Sequence, residues 1–261
     1  MSPVTKAAVV TGGATGVGKA TAVRLAAAGF AVVINYTKSE TEARDTVAEI
    51  TAAGGQAVCL RADVAFDDDC QALIAAAESQ FGRLDVLVNS AGTTEFIPFA
   101  DLDVITAEIW ERLFRVNVVG AFQCSRAAAK VIGRTASGGV IINVSSVAAQ
   151  LAQGSSIPYC ASKAALDNLT VSLARTLAPQ IRVNAVAPGF IAGRWTQQGL
   201  GEKYPSVLAA WEQSLPLRHV CEPDDIAQAI VGLITGSPLI TGQTLTVDGG
   251  MTISGFQVKF H

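Results

Sequence analysis

Three side chains could do acid–base chemistry together if the fold brought them close: Ser146, Tyr159 and Lys163. Tyr159 and Lys163 stand four residues apart at the start of an Ala/Leu-rich segment that runs to Leu177. On a helix that spacing puts both on one face, one turn apart. A free tyrosine has a pKa of about 10, and a nearby ammonium favours the phenolate, which brings the phenol towards general acid/base range. Ser146 closes the apolar run Val140 to Val144 and Ser145, which reads as a buried strand with a polar tip. A Gly/Ser/Pro loop separates it from Tyr159. Tyr and Lys at this spacing are also common on solvated helix faces, so the pair gains meaning only from what positions it.

Those elements alternate along the whole chain. Lys6 to Thr11 reads as a short buried strand, and Gly12 to Gly18 (G-G-A-T-G-V-G) as a turn into a helix from Lys19 to Ala28. Bare N–H groups and the helix dipole at such a turn favour a phosphate, and glycines let a ligand approach the backbone. The spacing Gly12-x-x-x-Gly16-x-Gly18 differs from the common G-x-G-x-x-G dinucleotide fingerprint. Ala31 to Asn35 is a second strand. In dinucleotide folds an acid at its end takes the ribose 2′-hydroxyl. Here the tip is Tyr36-Thr37-Lys38-Ser39, with no acid before Glu40. Hydroxyl donors and a lysine there favour NADP(H) over NAD(H), although Lys38 could equally be an ordinary loop residue.

Ser39-x-x-Glu42 is a capping box opening a helix to Ala53, followed by a strand from Gln56 to Arg61 and an acid-led helix from Asp67 to Phe81. Val86 to Val88 is a fourth strand, ending in Asn89-Ser90-Ala91-Gly92. Thr106 to Ile132 has helical periodicity, with Asn117 in its middle, a poor interior residue that could simply satisfy a buried carbonyl. Strands follow at Gly139 to Val144, Ile181 to Ala187 and Thr241 to Val247. Between the last two, Phe190 to Leu217 has no clean period and reads as a mobile substrate-facing cover, and Glu222-Pro223 opens a further helix. The pattern specifies α/β class: a doubly wound parallel sheet with helices on both faces, in one domain spanning residues 1–261. Ligands of such sheets bind beyond the carboxyl ends of the strands. The glycine turn, Tyr36 to Lys38, Asp63, Asn89, Ser146 and Pro188-Gly189 all fall at ends of that sense.

The bulk properties narrow the function classes. Half of the 261 residues are hydrophobic, 16% are charged and the net charge is −3, with no basic cluster, which argues against nucleic acid. No apolar stretch approaches a membrane span, and Met1 to Lys6 lacks a signal-peptide layout. Five scattered cysteines without C-x-x-C suit reduced thiols in a cytoplasm. With only His219 and His261 available, neither a zinc site nor a serine hydrolase is expected, and no G-x-S-x-G elbow occurs.

Taken together, these motifs resemble the short-chain dehydrogenase/reductase family, and 3-oxoacyl carrier-protein reductases in particular, over essentially the whole chain from Thr11 to Gly250. The residues that carry the resemblance are T-G-G-A-T-G-V-G, Asp63-Val64, Asn89-Ser90-Ala91-Gly92 (Ser90 replacing a usual Asn), Pro188-Gly189, the closing I-T-G-Q…V-D-G-G, and Tyr159-x-x-x-Lys163, thirteen residues after Ser146. It implies a Rossmann-type fold and hydride transfer between NADP(H), with NAD(H) as the alternative, and a carbonyl or secondary alcohol. Ser146, Tyr159, Lys163 and Asn117 would be catalytic, Asn117 through a water that relays protons to Lys163. The cofactor would meet Gly12, Thr15, Gly16, Val17, Gly18, Tyr36, Thr37, Lys38, Asp63, Val64, Asn89, Ala91, Gly92, Tyr159, Lys163, Pro188, Gly189 and Ile191. One departure is Gly193, standing where the family usually has a Thr near the nicotinamide carboxamide, with Thr196 as a substitute. Gln150, Gln153, Trp195 and Trp211 are candidates for the substrate pocket. The expected activity is NADPH-dependent reduction of a ketone or 3-oxoacyl thioester; the rivals are an oxidative alcohol or sugar dehydrogenase and, remotely, a non-catalytic NADP(H)-binding regulator. By resemblance the subunits form a homotetramer.

Overall fold

Apolar, largely β-branched runs form seven strands in a computed structural model that describes residues 6–254. They are β1 (Ala7–Thr11), β2 (Ala31–Tyr36), β3 (Ala57–Arg61), β4 (Val86–Asn89), β5 (Gly139–Val144), β6 (Ile181–Pro188) and β7 (Thr244–Val247). Every pairing is parallel and the spatial order is β3-β2-β1-β4-β5-β6-β7. Parallel strands need crossovers, which are supplied by α1 (Gly16–Ala27), α2 (Glu40–Ala52), α3 (Asp67–Phe81), α4 (Ala107–Phe114), α5 (Ala121–Ile132), α6 (Ala148–Leu151), α7 (Ile157–Leu177), α8 (Arg194–Leu200), α9 (Tyr204–Ser214) and α10 (Pro223–Thr235). Leu25, Ile50 and Ile230 pack one face of the sheet, and Leu73, Ile132 and Leu173 the other. The inner strands are therefore buried on both sides, which is why they read as near-continuous apolar runs, while the edge strands β3 and β7 are only partly covered. The N-terminal layout before Lys6 and His261 lie outside the described residues.

Several boundaries differ from the sequence reading for identifiable reasons. The segment from Thr106 to Ile132 is two helices joined by a π-helical turn, Arg115–Gly120, which re-registers the backbone around Asn117. Ser39 precedes α2, but its side chain makes no capping bond, so no capping box forms there. Glu42 is instead drawn to Arg194, 2.9 Å away. The last strand begins at Thr244 because Gly242 turns with φ +70° and donates its N–H to Val183. The segment from 190 to 217 is mostly helical (α8 and α9), its lack of period reflecting two short helices without buried faces.

The strand order reverses between β1 and β4, and the crevice at their carboxyl ends is held by short polar links. Thr11 Oγ1 accepts from the N–H groups of Ser90 and Ala91 at 3.0 and 2.9 Å. Asn35 Oδ1 accepts from Gly12 N–H at 3.1 Å, while its amide donates to Ala62 at 2.7 Å. Gly18 lets α1 close on the turn, since a Cβ there would lie 2.1 Å from the Gly12 carbonyl oxygen. Gly18→Ala gains about 1 kcal/mol of helix propensity but forces backbone apart, a cost of about 1–3 kcal/mol that outweighs it. The urea midpoint should fall; an unchanged or raised midpoint would contradict this packing.

Candidate active site

The helix carrying Tyr159 begins where its sequence requires. Ser156 caps α7 by accepting from the Tyr159 N–H at 3.4 Å, and Pro158 occupies the first turn, where its missing donor is harmless. Tyr159 and Lys163 then face the end of β5. Lys163 is 4% exposed, and its Nζ donates to the Val144 carbonyl at 2.8 Å and lies 5.8 Å from the Tyr159 ring centre. Ser146 sits just past the same strand, its Oγ accepting from the Ala148 N–H at 3.1 Å. All three line one cleft of about 1730 Å³. That is larger than a single drug-sized ligand needs and leaves room for two molecules.

The electrostatics correct one expectation. Burial pushes the Tyr159 phenol up to about 12, and the Ser146 hydroxyl beside it offsets only part of that. Burial likewise brings Lys163 down to about 8, with Asp167 one turn on pulling the other way. Desolvation, rather than the neighbouring ammonium, sets the net direction at both groups. At neutral pH the arrangement holds a protonated phenol beside a buried ammonium. Asp167 is itself pushed up by burial, and its Oδ1 has no hydrogen-bond partner.

Most other expected site residues converge on the cleft. Gly12, Thr15, Gly16, Val17 and Gly18 form its floor, Tyr36, Thr37, Lys38, Asp63 and Val64 one end, and Ala91, Gly92, Pro188, Gly189 and Ile191 the remaining wall. Asn89 and Asn117 stand behind that lining. Asn89 Nδ2 donates to Asn143 Oδ1 at 2.9 Å and Ser125 Oγ at 3.0 Å, so its side chain is turned into the fold. Asn117 is 1% exposed, its amide bonded to both backbone groups of Thr93 (2.8 and 3.0 Å) and to Ser162 Oγ at 3.0 Å. Thr37 Oγ1 donates to the Ala62 carbonyl at 3.2 Å, whereas Lys38 is exposed and forms no ion pair among the described residues. Thr196 does not replace the Thr absent at Gly193: its hydroxyl is spent on the Ile191 and Gly193 carbonyls, each 2.9 Å away.

The cover brings aromatic groups. Trp195 meets Tyr159 edge-on at 6.3 Å between ring centres, and Phe190 stacks on Trp211 at 6.1 Å. Gln153, Trp195 and Trp211 line the cleft, but Gln150 is exposed on α6 and does not. Thr11, Asn35 and Arg194 were not anticipated as site residues. Thr11 opens the glycine turn and Asn35 precedes the Tyr36-to-Ser39 tip, whereas Arg194 approaches only through the fold. His219 pairs with Asp225 at 3.3 Å on the surface, away from Ser146's cleft, so it is not placed as a base for Ser146. Among the described residues there is no metal-binding cluster and no helix long and apolar enough to cross a membrane.

A dinucleotide fits what these residues offer. Gly16 has φ +53°, and a Cβ there would meet nothing within 4 Å, so the backbone at the α1 N-terminus is open to the cleft. Free N–H groups and the helix dipole at that point suit a pyrophosphate.

The family model described as enoyl-(acyl carrier protein) reductase matches residues 12–252. A solved structure assigned to the short-chain dehydrogenase/reductases, from Burkholderia xenovorans, superposes with a TM-score of 0.86 at 38% identity, covering 95% of this chain and 98% of its own. The chain belongs to the short-chain dehydrogenase/reductase family and is an oxidoreductase. Within it, the chain resembles 3-oxoacyl-[acyl-carrier-protein] reductase of Synechocystis, 40% identical over 249 residues (94% of this chain, 96% of that protein). It is equally similar to 3beta-hydroxysteroid dehydrogenase 1 of Eggerthella lenta, 40% identical over 256 residues (97% and 96%). The family uses NAD(P)(H) and small-molecule substrates.

The buried ammonium has a measurable consequence. Below pH 8 Lys163 is protonated in both folded and unfolded chains, and the folded chain bears the full desolvation penalty. Between about 8 and its ordinary 10.5 only the unfolded chain keeps the proton. Stability should rise across that window by up to about 1.4 kcal/mol per pH unit. Lys163→Met should be the more stable protein at pH 7 in urea unfolding, with the difference shrinking from pH 8 to 9.5. A difference independent of pH would contradict a buried charge at this position.

Proposed function

We propose that the protein is an NADPH-dependent reductase of a ketone or 3-oxoacyl thioester, working as a homotetramer in the cytoplasm, with residues 1–261 as one domain. The observation that carries the reading is the convergence of Ser146, Tyr159 and Lys163 on one wall of a dinucleotide-sized cleft, with the phenol held protonated. When bound, the reduced nicotinamide supplies a hydride, and the residues around it determine where that hydride can go. Ser146 orients the substrate carbonyl by donating to its oxygen. Tyr159 donates the proton that oxygen needs as it gains negative charge, and the Lys163 ammonium stabilises the phenolate left behind. Asn117 holds the 91–93 wall against α7 and, by family resemblance, a proton-relaying water for Lys163.

A phenol near 12 supports the reductive direction, because oxidation would need the phenolate at rest. The oxidative alcohol or sugar dehydrogenase is the second reading, favoured by the likeness to a hydroxysteroid dehydrogenase. The NADP(H) preference is supported by the acid-free tip from Tyr36 to Ser39, where exposed Lys38 stands beside Arg61, whose Nε donates to the Thr37 carbonyl at 3.3 Å. Exposed Phe122 on α5 and Val171 on α7 support subunit pairing through those helices. The free cysteines support a reducing compartment.

Tyr159→Phe removes the proton donor but keeps the ring. Reduction of 3-oxoacyl thioesters or ketosteroids should slow by at least about a hundredfold, with NADPH binding nearly unchanged. Near-normal turnover would rule Tyr159 out as the acid.

A further inference from the structure

The cover and the opposite rim of the cleft are joined by one ion pair. Arg194, the first residue of α8, donates from Nη1 to Glu42 Oε1 at 2.9 Å, across 152 residues of chain. Glu42 lies in the first turn of α2, just past the Tyr36-to-Ser39 tip, so the guanidinium is parked at the adenosine end of the cleft, whose lining includes Arg194, Lys38 and Ser39. The Glu42 carboxylate, which a capping box would turn back towards Ser39, is engaged here instead. Both partners are substantially solvent-exposed, at 55% and 42%. Exposed pairs of this kind stabilise little and exchange partners readily. A phosphate dianion offers a guanidinium more charge and a matching fork of acceptors. Lys38 is exposed on the same lining, so a phosphate arriving there meets cations from the β2 tip and from the cover.

We propose that Arg194 and Glu42 form an ionic strap over the adenosine end of the cleft, in which Arg194 is the cover's own ligand for the cofactor 2′-phosphate and Glu42 its internal competitor. The proposal rests on the NADP(H) reading. Binding of the 2′-phosphate would exchange Glu42 for phosphate on Arg194, so that cofactor selection and closure of the cover share one side chain. The two members then act in opposite senses. Removing Arg194 deletes a phosphate ligand and exposes an unneutralised carboxylate to the incoming dianion. Removing the Glu42 charge frees the arginine.

The test is equilibrium binding of NADPH and NADH, read by energy transfer from tryptophan to the reduced nicotinamide, in the wild type, Arg194→Ala, Arg194→Lys and Glu42→Gln. Arg194→Ala should weaken NADPH by roughly tenfold or more while changing NADH little. Arg194→Lys, which keeps the charge without the fork, should fall between it and the wild type. Glu42→Gln should tighten NADPH by roughly two- to fivefold. If Arg194→Ala leaves NADPH binding unchanged, or weakens both dinucleotides equally, the strap is overturned. Weakening of NADPH by Glu42→Gln would overturn it too, because a purely structural pair loses in the same direction from either side. A wild type that binds NADH more tightly would overturn the NADP(H) reading alone; the strap then stands if Arg194→Ala still weakens NADPH selectively.

Discussion

The Lys163 ammonium is 4% exposed and rests on a single carbonyl, that of Val144, 2.8 Å away. Much of the surrounding structure serves to keep a charge in that position despite its desolvation. The 21-residue helix α7 sets its height, fixed at the N-terminus by Ser156 and Pro158. Strand β5 supplies the carbonyl, and Asp167 one turn along supplies a compensating carboxylate. The same desolvation holds the Tyr159 phenol protonated, so one physical effect sets the state of both groups. A site that pushes the pKa values of two neighbouring titratable groups apart in this way is characteristic of acid–base catalysis.

Behind that pair, the crevice is kept rigid by buried amides rather than by apolar packing alone. Asn89 links to Asn143, and Asn143 to Thr170 at 2.8 Å, so β4, β5 and α7 are tied together by buried hydrogen bonds. Asn117 ties the loop after β4 to α7 through Ser162, whose own hydroxyl returns to Tyr159 at 2.7 Å. These links lie beneath the cleft lining. They hold α7, and with it Tyr159 and Lys163, against the carboxyl ends of the strands, the kind of fixed positioning on which catalysis with a bound cofactor depends.

The parallel sheet was legible because both faces are covered, leaving unbroken apolar strands separated by helix-forming runs. Ser146, Tyr159 and Lys163 were legible because their spacing combines a strand end with one helical turn. What escaped was set by contacts distant in sequence. Glu42 matched a local capping pattern, yet its carboxylate goes to Arg194, a partner that no local rule could supply. The π-turn at Asn117 is a backbone re-registration with only a poor helix former to announce it. The direction of the Tyr159 shift was misjudged because spacing reveals a neighbouring charge but not how dry its surroundings are.

The central claim is that this cleft delivers a hydride to a carbonyl carbon while Tyr159 protonates its oxygen. The most direct measurement uses NADPH carrying deuterium at the transferable C4 position, with 3-oxoacyl thioesters and ketosteroids as acceptors and mass spectrometry of the product alcohol. The account predicts one deuterium on the new carbinol carbon and none on its hydroxyl in protonated water. Alcohol without deuterium on carbon, or no alcohol from any acceptor while NADPH binds tightly, would contradict it.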